Sequence, residues 1–132
     1  VAVKTCMPAW RYREDLNAGK HDRITDRTYT VRFRATVEAD EIHNNKSAEM
    51  LATEGVVCIT TLERLLLGFM YTVRTSGRHL DVLNWTLCAG SRDPGGSVSS
   101  VGLSGDGGVS VDDWFPRAAY GSLRTREAVL AD

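Results

Sequence analysis

A mixed α+β domain, with a curved and mainly antiparallel sheet packed on about three N-terminal helices, is the architecture that the chain predicts. Three observations lead there. Val56, Ile59, Leu62, Leu66 and Phe69 recur at helical spacing. Tyr29, Val31, Phe33, Ala35 and Val37 alternate strictly with Thr30, Arg32, Arg34, Thr36 and Glu38, which is the pattern of a half-buried strand. From Phe69 onward the period shortens towards two, and Gly- and Asp-rich turns divide that half into strand-length pieces.

Taken in order, residues 2–20 carry Met7, Trp10 and the stretch from Arg11 to Leu16, and end in Asn17-Ala18-Gly19. Glycine tolerates the left-handed conformation that closes a helix, so a helix ending there is expected. A short second helix follows over residues 21–28, then the Tyr29-to-Glu38 strand, then a loop through Asn45. Ser47 is a natural N-cap for a short helix stopping at Gly55, and the 56–69 periodicity continues the helical part. Residues 69–75 and 79–88 read as strands around a Ser76-Gly77 turn, with a second turn at Arg92-Asp93-Pro94-Gly95-Gly96. Residues 98–103 and 109–115 form a hairpin around Gly105-Asp106-Gly107-Gly108. Pro116 suits the first turn of a short helix, and residues 122–132 make a helical or frayed tail on a single domain spanning 1–132.

A chain of 132 residues, 42% hydrophobic and 25% charged, is long enough to bury one core without a second domain. The formal net charge of -1, with Lys and Arg scattered, lacks the basic footprint that nucleic-acid backbones require. Its longest apolar runs, such as Leu65-Leu66-Leu67, fall far short of the about 20 residues of a membrane span, and no signal-peptide pattern opens the chain. Cys6, Cys58 and Cys88 are widely spaced and odd in number, which points to reduced thiols in a cytoplasmic protein. His21, His43 and His79 are equally dispersed, so no metal site is expected. The Gly105-to-Gly108 segment matches no phosphate loop, because no helix with the required Lys or Ser/Thr follows it.

Candidate chemistry rests on two acidic residues. Strand alternation from Arg78 to Leu87 groups His79 and Asp81 with Leu83, Trp85 and Leu87, and alternation from Val109 to Phe115 groups Asp113 with Val109, Val111 and Phe115. A carboxylate on an apolar face costs several kcal/mol unless it is partnered or protonated, so Asp81 and Asp113 are candidate acid–base groups of a lined pocket. The plainer alternatives are an Asp81 paired with Arg74 or Arg78, a register slip that exchanges Asp113 for Asp112, and a His79 satisfied at a strand end. Trp10, Trp85, Phe33 and Phe115 are the expected walls for a small hydrophobic substrate. The opposite face, with residues such as Leu80, Val82 and Thr86, is apolar enough to suggest a homodimer.

The stretch Tyr12-Arg-Glu-Asp-Leu-Asn-Ala-Gly-Lys-His-Asp-Arg-Ile24, followed by Val31-Arg-Phe33, resembles the opening of the nuclear-transport-factor-two-like superfamily. The stretch Leu103-Ser-Gly-Asp-Gly-Gly-Val-Ser-Val-Asp-Asp-Trp-Phe115 is similar to that family's closing hairpin, and Gly55 stands where a Gly opens its third helix. The resemblance spans residues 9–120, with Lys20 where the family usually has Asp. It implies a cone-shaped α+β barrel with an apolar cavity. Around His79-Leu-Asp81 the chain resembles limonene-epoxide hydrolases, which have Arg where His79 stands and a second Asp at the place of Asp113. SnoaL-like polyketide cyclases imply a single acid, Asp113. Ketosteroid isomerases imply Tyr12 as an oxyanion-binding hydroxyl and Glu38 or Asp40 as the base. The resemblance thus implies a cofactor-free hydrolase, isomerase or aldol cyclase, with a non-catalytic binding or assembly domain as the alternative. Ile42-His43-Asn44-Asn45 is also similar to the His-x-Asn-Asn that opens the central helix of hotdog thioesterases, a more distant reading.

Overall fold

Short polar caps decide where the helices of this chain begin. The structure, a computed structural model, describes residues 18–24 and 26–131. The helix expected over residues 2–20, with Trp10 and Tyr12, lies outside the described residues except for its end, which bends at 18–19 into strand β1 (Lys20–His21). Strand β2 (Thr30–Arg32) and a 3-10 turn (Glu41–His43) precede two helices, α1 (Ala48–Thr53) and α2 (Thr61–Arg74). Ser47 caps α1 by accepting from the Met50 amide, and Gly55, at φ 73°, supplies the left-handed residue that ends this turn of chain. Thr60 and Glu63 close a reciprocal capping box on α2.

The remaining strands are β3 (Trp85–Leu87), β4 (Ser91–Arg92), β5 (Val98–Leu103), β6 (Val109–Trp114), β7 (Leu123–Arg124) and β8 (Val129–Ala131). A four-stranded sheet runs in the order β6-β5-β3-β7, antiparallel except for the parallel β3–β7 pair. Two-stranded ladders join β1 to β4 and β2 to β8. The β5–β6 hairpin closes between Ser104 and Gly108 with Gly107 at φ 86°, as the Asp-Gly signal predicts.

Alternation across the sheet separates two cores. Leu87, Val98 and Leu123 lie in one cluster with Ala48 and Leu51 of α1, flanked by Trp85 and Trp114. Cys88 and Val101 lie in the other with Leu65 of α2, flanked by Val109 and Val111. Neighbouring residues such as Leu87 and Cys88 fall in different clusters because successive strand side chains point to opposite faces. One helix therefore serves each face, giving an α+β layer arrangement.

This corrects the expected architecture in several places. The described residues hold two α-helices rather than three, and their sheets form no closed barrel. Residues 69–75, expected as a strand, continue α2 to Arg74, because the capping box and the Leu65 contact favour helix over the β-branched and aromatic preference of Phe69, Tyr71, Thr72 and Val73. Residues 21–28 form β1 and bends, not a helix. The Tyr29-to-Glu38 strand is confined to Thr30–Arg32, and the 79–88 strand to Trp85–Leu87. Pro116 sits in a turn.

The segment expected as a helical or frayed tail is instead extended and largely buried. Thr125 donates its hydroxyl to the Leu87 carbonyl, the Ile59 amide donates to Arg126, the Ala128 amide to Val57, and the Asp40 amide to Thr125. These tertiary bonds satisfy a backbone that a helix would have satisfied locally.

Close backbone approach at Gly90 locks the two halves together. A Cβ there would lie 2.4 Å from the Cys58 carbonyl oxygen and 2.9 Å from that of Ile59, whereas a Cβ on Gly105 would meet nothing within 4 Å. Gly90→Ala is expected to lower unfolding free energy by roughly 1–3 kcal/mol in urea titrations, with Gly105→Ala near neutral.

Candidate functional site

Asp81 is 0% exposed and adopts φ 54°, a left-handed conformation that Asp tolerates better than most side chains. Its Oδ1 accepts from the Ala39 amide at 3.0 Å and from Arg126 Nη2 at 2.9 Å. Its Oδ2 accepts from Arg64 Nε at 3.0 Å and from the Thr86 hydroxyl at 2.5 Å. Thr86 in turn accepts from Arg126 Nε at 3.0 Å. The remaining Arg126 contacts run to the Thr36 carbonyl at 2.9 Å from Nη1 and to the Val37 carbonyl at 2.7 Å from Nη2. Burial lowers the Arg64 pKa, the attraction of Asp81 opposes that, and Arg126 adds to the lowering as a like charge. Gly68 leaves room for the Arg64 guanidinium, whose Nη1 lies 2.4 Å from where a Cβ would stand.

Other carboxylates also hold backbone. Glu38 accepts from the amides of Val82, Leu83 and Asn84 and from Asn84 Nδ2 at 2.8–3.2 Å. Desolvation pushes its pKa up, but these bonds outweigh it and the net shift is downward. Asp40 Oδ2 accepts from Arg34 at 2.6 Å and from the Glu127 amide at 2.8 Å. Glu63 takes two bonds from Arg23 at 2.7 Å, one from the Tyr29 hydroxyl at 2.9 Å and one from the Thr60 amide at 2.9 Å.

Beside the Asp81 cluster lies an open cavity of about 440 Å³. Leu67, Met70, Tyr71 and Arg74 form one wall at helical i, i+3, i+4, i+7 spacing, residues 34–37 form the other, and Leu80 and Arg126 close the back. Three of these residues are arginines, and no carboxylate is among the described residues of the lining. A second cavity of about 330 Å³ lies between α1 and the β1–β4 ladder, lined in part by Cys58, Ser91, Lys20 and Asp22. Burial raises the Cys58 thiol pKa and pushes that of Cys88 up to about 12. Among the described residues no group of three His, Cys, Asp or Glu side chains is placed to hold a metal ion, and no helix is long and apolar enough to cross a membrane.

The expected site residues are dispersed. Asp113 is exposed on β6 and accepts from the Ser99 hydroxyl at 3.2 Å, while Asp81 is enclosed by Arg64, Arg126, Thr86 and Ala39, so one cavity does not hold both. The grouping of Asp113 with Val109 and Val111 holds on the strand, but the two valines pack against the cluster of Leu65, Cys88 and Val101 whereas Asp113 is exposed. His79 is half-buried on the loop before Asp81. Tyr12 and Trp10 lie outside the described residues. Trp85 packs on the α1-side core across Gly102, Phe33 is half-buried beyond β2, and Phe115 is 75% exposed; none of the three lines either cavity. The apolar face expected of Leu80, Val82 and Thr86 is divided: Leu80 and Thr86 are buried and Val82 is exposed.

Reading residues 69–75 as a strand hides the wall formed by Leu67, Met70, Tyr71 and Arg74, and Arg126 lies in the segment expected as a tail. The i, i+3, i+4, i+7 spacing of the first four is the signal that could find them, and Arg126 has none. Comparison with family models, with curated proteins and with solved structures finds no match to this chain.

Asp81→Asn leaves two guanidiniums enclosed without a counter-charge and is expected to cost about 3–5 kcal/mol in chemical denaturation, while the exposed Asp113→Asn costs less than about 1 kcal/mol. Glu63 has a folded pKa below its ordinary value: desolvation raises it, and Arg23, the Thr60 amide and Tyr29 more than reverse that. Its stabilisation is therefore complete above the unfolded-state pKa of about 4.3 and is lost as pH falls through the folded value. Glu63→Gln should lower stability at pH 7 and flatten the acid limb of a stability–pH curve.

Proposed function

We propose that this domain binds a small, largely apolar molecule in the groove between α2 and residues 34–37, without performing acid–base chemistry on it. The observation that carries this reading is the cavity of about 440 Å³, within the roughly 300–1,000 Å³ of small-molecule sites, with Leu67, Met70, Tyr71, Leu80 and Val37 among its walls. The acid–base enzyme suggested by the resemblance finds less support. Asp81 spends its acceptor capacity on two arginines, a hydroxyl and an amide, and Asp113 faces outward. What the nuclear-transport-factor-two-like resemblance still contributes is the expectation of a cavity between helix and sheet. Buried, unpaired Cys58 and Cys88 fit a reducing compartment such as the cytoplasm.

The test uses N-phenyl-1-naphthylamine, a neutral apolar dye. Saturable one-to-one fluorescence enhancement is expected, together with its loss in Leu67→Trp, a variant that fills the groove from the α2 side. Absence of saturable binding to the folded protein, or unchanged binding by the filled variant, would remove the groove from consideration.

A further inference from the structure

Arg64 and Arg126 are both buried, at 2% and 1% exposure, and both direct their charge at the same carboxylate, Asp81. Two guanidiniums sharing one carboxylate leave an excess of positive charge inside the fold, where the low dielectric weakens it little. Arg126 is also part of the groove lining. Its Nε and Nη2 hydrogens go to Thr86, Val37 and Asp81, while Nη1, which carries two hydrogens, has one acceptor among the described residues, the carbonyl of the wall residue Thr36. Arg74 stands on the same α2 face as Leu67, Met70 and Tyr71, and Arg34 lines the opposite wall, where Asp40 already engages it at 2.6 Å. Positive charge thus comes from both walls and from the back of a groove whose described lining holds no carboxylate.

We infer that the ligand of this groove is a small monoanionic amphiphile, a carboxylic acid with an apolar body, whose anionic head pairs with Arg74 and Arg126 while the body lies along Leu67, Met70 and Leu80. This rests on the groove being the ligand site. Guanidinium groups suit a carboxylate because their forked N–H donors match its two oxygens. An exposed arginine alone is a weak anchor, screened by salt and free to move. Arg126 is different, since its buried contacts hold the guanidinium in place before any ligand arrives.

A matched pair of dyes separates the two questions. N-phenyl-1-naphthylamine and its 8-sulfonate share the same ring system and differ by one negative charge. The sulfonate should bind at least tenfold more tightly, lose part of that advantage in Arg74→Gln, and weaken as salt rises, with the neutral dye indifferent to both changes. Decanoate should displace the sulfonate far better than 1-decanol. Equal affinity for the two dyes would overturn the anionic assignment while leaving the groove as a site, and a sulfonate preference undiminished in Arg74→Gln would overturn the pairing of the head with Arg74. Failure of both dyes to bind would instead remove the groove itself. Arg74 is chosen because it is exposed and outside the Asp81 cluster, so its loss tests the ligand contact without disturbing the core.

Discussion

The carboxylate of Asp81 is the point at which distant parts of the chain meet. Through it the Ala39 amide, Arg64 of α2, Thr86 of β3 and Arg126 of the C-terminal segment are held in one enclosed cluster. Removing charges from water costs several kcal/mol each, and mutual attraction recovers this only when the remaining donors and acceptors are satisfied. Here both carboxylate oxygens have two partners, and Arg126 spreads its donors over a hydroxyl, two carbonyls and the carboxylate. Such a cluster is intolerant of displacement, because moving any one member strands the others. The left-handed backbone at Asp81 is the local cost of aiming the side chain inward, and its amide and carbonyl are tied to Val37 and Leu103 on either side.

The same device recurs at lower stakes around the molecule. Glu38 gathers three successive amides of the loop after Asp81, Asp40 binds the Glu127 amide, and Glu63 joins the start of α2 to Arg23 and Tyr29. With strands of two to six residues and a first helix of six, the regular ladders satisfy only part of the backbone. Carboxylates and arginines complete the hydrogen bonding of the segments between them. Asp81, Glu38, Asp40 and Glu63 thus each hold backbone amides or arginines in place.

The groove inherits its character from this arrangement. Arg126 is fixed as a consequence of folding, and α2 presents Leu67, Met70, Tyr71 and Arg74 opposite it because the capping box sets where the helix starts and hence which side chains face residues 34–37. For the ligand proposed above, a polar end anchored in the core would leave little to rearrange on binding. Its apolar wall belongs to a helix whose other side is buried on the sheet through Leu65.

Local chemistry alone determined the α+β class, the Ser47 cap with its Gly55 stop and the β5–β6 hairpin. Each depends on contacts within a few residues, such as a cap, a positive-φ glycine or a two-residue period, and these are written directly in the chain. The anomaly of Asp81 among apolar neighbours was equally legible. Its partners were not, since Arg64 and Arg126 lie 17 and 45 residues away and nothing in their own surroundings distinguishes them from solvated arginines. Tertiary structure likewise decided that residues 69–75 extend a helix against their β-branched preference, that residues 123–128 run extended through the core, and that Asp113 faces water although it alternates with Val109 and Val111. In each case the outcome turns on which distant surface covers the residue. Strand or helix period says which side of an element a residue takes, but only packing says whether that side meets a helix, a charge or solvent.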